Sequence, residues 1–323
     1  MKLADLDSIR GSYPHVYISP HMDDAVLSCG GRIAMQVSRG EKVLVVTVFS
    51  GVDQARADST MPGIPLGGLS ELRRNDEIAL DRLGVDHLRL DYHDGVFRQW
   101  FPLLRYGIHL RAAERFAGLL GTIRTDLERI CSASRCRDLY LPLGIGQHID
   151  HLLAYRIGDQ MGRTPFDPPA VSFYEDIPYA LIPHALDYRL RTIGLKTIPE
   201  SGAHPSIPEK ILAIHQAVRH LPTLIRNRFL REGALLVGLS AGVIYMETAC
   251  KRIRDRTEVR LQPRRVDVSD FFENKVAAIL DYRPQARLFF RNEETLRRSL
   301  AQYSQNIGGA AGQYLERTWI RRD

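Results

Sequence analysis

The sequence predicts an α/β protein, Rossmann-like, with an open and mostly parallel sheet covered by helices on both faces and a helical elaboration toward the C-terminus. Three observations predict it. Runs such as HVYIS (His15–Ser19) and KVLVVTVF (42–49) are almost continuously apolar and rich in β-branched residues, the pattern of strands buried on both faces. Longer stretches with apolar residues at helical spacing alternate with them. The junctions carry stop or cap signals, as at Pro20, Ser50-Gly51, Gly84 and Pro142.

In order, the strand His15–Ser19 leads into DAVLSCGGRIAMQVSR (24–39), an amphipathic stretch that Asp23 or Asp24 is placed to cap. With the strand at 42–49 it makes a βαβ unit, whose crossover is expected to be right-handed. Gly30 and Gly31 lack the spacing of a dinucleotide fingerprint and are read as allowing close packing of helix on sheet. Residues 71–83 read as a helix closed by Gly84, and 87–90 as a short strand. Residues 110–130 are amphipathic, DLYL (138–141) is a strand stopped by Pro142, 151–161 is helical, and AVSFY (Ala170–Tyr174) is strand-like.

Beyond about residue 179 the rhythm weakens. Helices are expected at 207–221 and 267–280. GALLVGLSAGVIYM (233–246) is an apolar run that as a helix would be roughly 21 Å long, short of the ~30 Å bilayer core. A buried or subunit-interface helix is the first reading of it. Contact with a membrane surface, helped by the flanking Arg and Lys, is the second.

A chain of 323 residues can bury a sizeable core, and 44% hydrophobic with 25% charged residues excludes disordered, collagen-like and multi-span membrane classes. A net charge of +6 suits an anionic partner, but the basic residues are scattered apart from Arg-rich stretches at 219–231 and 251–265. No nucleic-acid-binding motif accompanies them, so no nucleic-acid partner is expected. Cys29, Cys131, Cys136 and Cys250 form no CxxC pair, which argues against a structural zinc site. The first residues hold no apolar run fit for a signal peptide, so a cytoplasmic protein with reduced thiols is expected.

The strongest local signal is Pro20-His21-Met22-Asp23-Asp24, set where the first strand hands over to the first helix. Doubly wound sheets bind ligands at that carboxyl end. A histidine and two carboxylates offer borderline and hard donors of the kind that suit Zn²⁺; the plainer account is an aspartate cap beside a loop histidine. A second cluster, Gln147-His148-Ile149-Asp150-His151, follows the strand at 138–141 and again precedes a helix. Its plainer account is two solvated histidines near a helix start. Both clusters falling at matching ends of parallel strands favours chemistry over capping.

PHMDD followed by AVLSCGG resembles the PHPDDEVLGCGG signature of the LmbE-like (GlcNAc-phosphatidylinositol de-N-acetylase, PIG-L) family of zinc-dependent N-deacetylases, and HIDH resembles their HPDH signature. Arg73-Arg74-Asn75-Asp76, with Ala79 and Leu83-Gly84-Val85, is similar to the family's arginine motif and LGV turn, and Asp94-Gly95 to the short element after it. Val266-Asp267-Val268-Ser269 with Lys275, Ala278, Tyr282 and Gln285 is similar to its closing pattern. The resemblance covers about residues 15–180 and 266–300. Ala25 stands where the family frequently has Glu, and 183–265 has no clear counterpart.

The resemblance implies one zinc ion held by His21, Asp24 and His151, with an open position for water or the substrate carbonyl. Asp23 would be the general base. His148 would donate a hydrogen bond or proton to the developing oxyanion, and Asp150 would hold its tautomer or simply cap the helix. Arg73 and Asp94 would grip sugar hydroxyls. Glu175 and Asp176 are added as candidate substrate-binding residues because they lie just past a strand's carboxyl end; His93 is read as structural.

The expected function is hydrolysis of the acetamide of an N-acetylglucosamine-type amino sugar in a glycoconjugate or specialised metabolite. One rival keeps the metal site and cleaves a larger amide, as thiol-conjugate amidases do; another is a sugar-binding protein with a degenerate site. The expected organisation is a catalytic α/β core over 1–182, an insert over 183–265 serving as lid, interface or membrane-facing element, and a helical part over 266–323 completing the catalytic domain. The expected partner is the substrate itself, and a homo-oligomer is a further expectation.

Overall fold

In the computed structural model the described residues are 1–51, 68–95, 116–163, 169–195, 205–218, 228–253 and 261–321. Their elements run β1 His15–Ser19, α1 Asp24–Ser38, β2 Val43–Thr47, α2 Leu69–Arg82, β3 Asp86–Arg89, α3 Ala117–Ser134, β4 Asp138–Pro142, α4 Ile149–Met161 and β5 Ala170–Tyr174. Then follow α5 Ala185–Thr192, α6 Ile207–Val218, α7 Arg228–Ile253, β6 Leu261–Asp267, α8 Phe272–Asp281, α9 Arg283–Phe290, α10 Glu293–Asn306 and β7 Leu315–Arg321. The strands form one sheet in the order β3-β2-β1-β4-β5-β7-β6.

The first five strands pair in parallel. The order grows outward from β1 toward β3 on one side and through β4 and β5 on the other, which makes the β1–β4 boundary the switch point of the sheet. All five strands and the helices between them fall where the sequence predicts. The helix expected at 110–130 is seen as Ala117–Ser134, and residues 110–115 lie outside the described ones, as do 219–221 of the helix expected at 207–221.

Near-continuous apolar strands are explained by two cores. Val16, Ile18, Leu44, Val46, Leu139 and Leu141 face α3 and α4 on one side. Tyr17, Val43, Val45 and Tyr140 alternate with them and face α1, α2, α8 and α10 on the other. Gly30 serves a helix-to-helix approach, whereas Gly31 lies against Val268 just past β6 and Glu316 of β7, the helix-on-sheet contact expected. A Cβ on Gly30 would lie 3.1 Å from the Lys275 side chain of α8, and one on Gly31 would lie 2.8 Å from Val268.

The expected C-terminal helical part is present, but it also carries two strands. β7 pairs antiparallel with β5 and with β6, so the sheet takes in Leu261 to Arg265, the last residues of the expected insert. The helix expected from 267 starts at Phe272 because Asp267 still closes β6. Pro263 is tolerated there since β6 is an edge strand with one neighbour.

Glu175 departs from its expected place at the substrate. It is buried, and its carboxylate accepts hydrogen bonds from Arg317 Nε (2.6 Å), Trp319 Nε1 (2.7 Å) and Tyr303 Oη (2.8 Å), tying β5 to β7 and α10. With its oxygens so occupied it is a structural strut. Glu175→Ala would take the carboxylate away from a buried guanidinium and two further donors, and is expected to lower unfolding free energy by about 3–5 kcal/mol. Denaturant unfolding of the variant checks this; a change below about 1 kcal/mol would contradict it.

Candidate metal and catalytic site

β1 and β4 are neighbours and parallel, with His15 beside Asp138 and Tyr17 beside Tyr140, so the segments leaving their carboxyl ends emerge side by side. One carries His21, Asp23 and Asp24 into α1; the other carries His148, Asp150 and His151 into α4. This adjacency brings together motifs far apart in sequence. The ring centroids of His21 and His151 are 5.3 Å apart, those of His21 and His148 4.8 Å, and those of His148 and His151 5.6 Å.

Asp24 is buried and stands between two of these rings. Its Oδ2 lies 3.3 Å from His21 Nδ1 and 3.2 Å from His151 Nε2, and accepts the His21 backbone N–H at 2.8 Å. The outer nitrogens of the same rings are held by further carboxylates. His151 Nδ1 meets Asp176 Oδ1 at 2.6 Å, and His21 Nε2 meets Asp150 Oδ2 at 3.1 Å. Asp176 is fixed in turn by the backbone N–H groups of Gly144 (2.8 Å) and Ile145 (3.1 Å), and Asp150 by that of Gly95 (2.8 Å). A Cβ on Gly95 would press on Ile149 at 2.8 Å and on Asp150 at 3.1 Å, so this approach requires glycine.

Two expected roles change on this geometry. Asp176 lies behind His151 and orients it, in place of the expected contact with substrate. Asp150 faces His21, with His148 Nδ1 farther off at 4.0 Å. The tautomer of His148 is set by the main chain: its Nδ1 accepts the Asp150 backbone N–H at 3.3 Å, capping α4, which in the neutral ring leaves the proton on Nε2.

The plainer account of Asp23 as a helix cap is not met, for its side chain makes no capping hydrogen bond. Its backbone sits at φ 154° and ψ −31°, a conformation rarely adopted by residues other than glycine, and Gln147, at the entry to the second cluster, has φ 58°. Strain of this kind gathers at functional sites.

Charge and burial set the titration of the cluster. Burial disfavours the cationic form of His21, but Asp94 and Asp24 outweigh it and raise its pKa to about 9. His151 is likewise opposed by burial and carried to about 9 by Asp24 and Asp176. Asp24 is penalised by burial yet driven well below the usual carboxylate range by the two imidazoles. Burial, then the charge of Asp24, pushes Asp23 the other way.

The donor set can hold a divalent cation. Donor atoms of His21, His148 and His151 all lie within 4.8 Å of one another, as do those of His21, Asp94, His148 and Asp150, a spread that bonds of about 2.1 Å bridge with small side-chain movements. Asp94 Oδ2 is 3.6 Å from His21 Nε2 and belongs to the site. Arg73 is held elsewhere: its Nη2 donates to Asp91 Oδ1 (2.7 Å) and Ser50 O (3.1 Å). Sequence reasoning missed Tyr179, whose ring stands edge-on to His151 at 5.7 Å. It follows β5 on the same sheet edge, and no local pattern singles it out.

Residues 16–161, which contain both clusters, match the family described as GlcNAc-PI de-N-acetylase (PIG-L). The chain is 29% identical over 171 residues to a 2'-N-acetylparomamine deacetylase of Streptomyces fradiae, covering 50% of this chain and 56% of that protein. It is 27% identical over 190 residues to the 2'-N-acetylparomamine deacetylase of Niallia circulans, covering 51% and 66%. The match thus spans between half and two thirds of these relatives' length. The zinc inhibited form of teicoplanin deacetylase shares the fold at a TM-score of 0.58 and 20% identity, with 95% of this chain and 98% of that one covered.

Proposed function

We propose, from the match of residues 16–161 to the GlcNAc-PI de-N-acetylase (PIG-L) family, that this chain is a metal-dependent N-deacetylase that removes acetyl from the nitrogen of an amino sugar carried by a specialised metabolite. The observation that carries the reading is the convergence of His21, Asp24 and His151 at the sheet's switch point, with the half-buried Asp23 carboxylate beside them and free of any capping duty. The substrate class is supported by the names of the relatives, which deacetylate acetylparomamine or teicoplanin.

His21, Asp24 and His151 would hold the ion, zinc by the mixture of imidazole and carboxylate donors, with Asp150 and Asp176 orienting the two imidazoles. When bound, the metal polarises the amide carbonyl and lowers the pKa of water toward neutrality. Asp23 takes the proton from the attacking water. The Nε2–H of His148 donates a hydrogen bond to the oxyanion as it forms, and Asp23 passes the proton it took from water on to the departing amine. Asp94, on the rim, accepts a sugar hydroxyl, while Arg73 is engaged by Asp91 and Ser50.

The test is incubation of the zinc-loaded protein with N-acetylated amino sugars, pseudodisaccharides and glycopeptide-borne N-acyl sugars, scored by mass. Loss of acetyl from one of these is expected. Release of bulkier acyl groups alone would move the assignment to the larger-amide amidase, and tight glycan binding with no turnover would contradict hydrolysis.

A further inference from the structure

Eight large hydrophobic side chains stand exposed among the described residues, and six of them, Ile207, Leu212, Leu236, Val237, Ile244 and Tyr245, belong to α6 and α7. One side of α7 is spoken for. Val243 and Cys250 are buried in a small cluster with Tyr188 of α5, and Glu247 accepts hydrogen bonds from Tyr188 Oη (3.0 Å), Lys210 Nζ (2.5 Å) and Arg191 Nη2 (3.2 Å). At 100° per residue the other side presents Ala234, Val237, Ala241, Ile244, Tyr245 and Thr248, all exposed. No charged residue occurs between Glu232 and Glu247.

A helix face left in water normally carries charge, and an uncharged face several turns long marks a surface that something covers. The stretch Glu232–Lys251 is long and apolar enough to cross a membrane by length and composition. Its inner side, however, is committed to the Glu247 ion cluster and to α5 and α6, so a bilayer can be met lengthwise and not spanned. Charge decides between the two natural occupants. The sequence places Arg226, Arg228 and Arg231 before the apolar stretch and Lys251, Arg252, Arg254 and Arg256 after it, so that both ends stay net basic once Glu232, Asp255 and Glu258 are counted. A second copy laid on the same face would bring basic end against basic end in either direction. Anionic headgroups would neutralise both ends at once, at about 1 kcal/mol per basic residue near the surface.

We infer that α7 is a membrane-surface helix: it docks the protein on an anionic bilayer with Val237, Ile244 and Tyr245 in the boundary between headgroups and acyl chains.

The test is co-sedimentation of the full chain with vesicles of phosphatidylcholine alone and of phosphatidylcholine mixed with phosphatidylglycerol. Binding to the mixed vesicles is expected to exceed binding to the neutral ones roughly tenfold, and to weaken in high salt. Val237→Glu with Ile244→Glu, at positions exposed in the fold, is expected to abolish it while circular dichroism stays unchanged. Absence of sedimentation, equal sedimentation on both vesicle types, or sedimentation unaffected by the double substitution would overturn the inference. So would a dimer in analytical ultracentrifugation that the double substitution dissociates, with no vesicle binding, since the covering partner would then be a second copy.

Discussion

Asp23→Ala is expected to lower kcat by about 10³-fold, near 4 kcal/mol of barrier, while the protein keeps its metal. The division between chemistry and binding follows from where the carboxylate stands. It is the half-buried neighbour of a buried ligand candidate, its side chain makes no capping bond to α1, and its backbone is held in a strained conformation. Removing it deletes a proton acceptor without deleting a donor to the ion. Asp23→Asn keeps the shape and is expected to fall equally far. Steady-state rates and metal analysis on both variants check this; a variant turning over within about tenfold of the parent would show that another group takes the proton.

His151→Ala is expected to act on the other half of the machinery. The imidazole sits between Asp24 and Asp176, so its loss removes a donor to the ion and one of the two imidazole partners of the Asp24 carboxylate. Metal affinity should fall by more than about 100-fold, beyond the ~10–100-fold drop that loss of an outer partner such as Asp176 would produce, and turnover should fall to background. Treating the parent with a chelator should give the same inactive state. One equivalent of zinc should restore the parent and leave His151→Ala inactive. Full activity of the metal-stripped parent would contradict the assignment.

Much of this site is legible in the sequence because parallel strands place their carboxyl ends on one edge. A polar cluster after β1 and another after β4 needed only strand adjacency to meet, and the near-continuous apolar runs announce those strands. What the sequence does not carry is direction and distant partners. Asp150 could not be aimed at His21 in place of His148, because that choice depends on Gly95 from another loop. Glu175 and Asp176 are adjacent and equally polar, yet point to opposite sides of β5: one is consumed by Arg317, Trp319 and Tyr303, the other by His151. β7 went unread because LERTWIR buries Glu316 and Arg317, whose charges are offset by Lys275 and Glu175 elsewhere in the chain.

The apolar run at 233–246 shows the same limit from the other side. Composition reads it as interior, whereas Val237 is 71% and Ile244 53% exposed in a helix that packs along one stripe. Hydrophobicity records what a segment would leave water for. It does not say whether the protein's own core receives it.

Anomalous diffraction at the zinc edge from crystals of the zinc-loaded protein bears most directly on the central claim. The expected result is a single peak at bonding distance, about 2.0–2.2 Å, from His21, Asp24 and His151, with the Asp23 carboxylate near it but unbonded. A peak ligated instead by His148 with Asp94 and Asp150, or one bound by Asp23 itself, would contradict it.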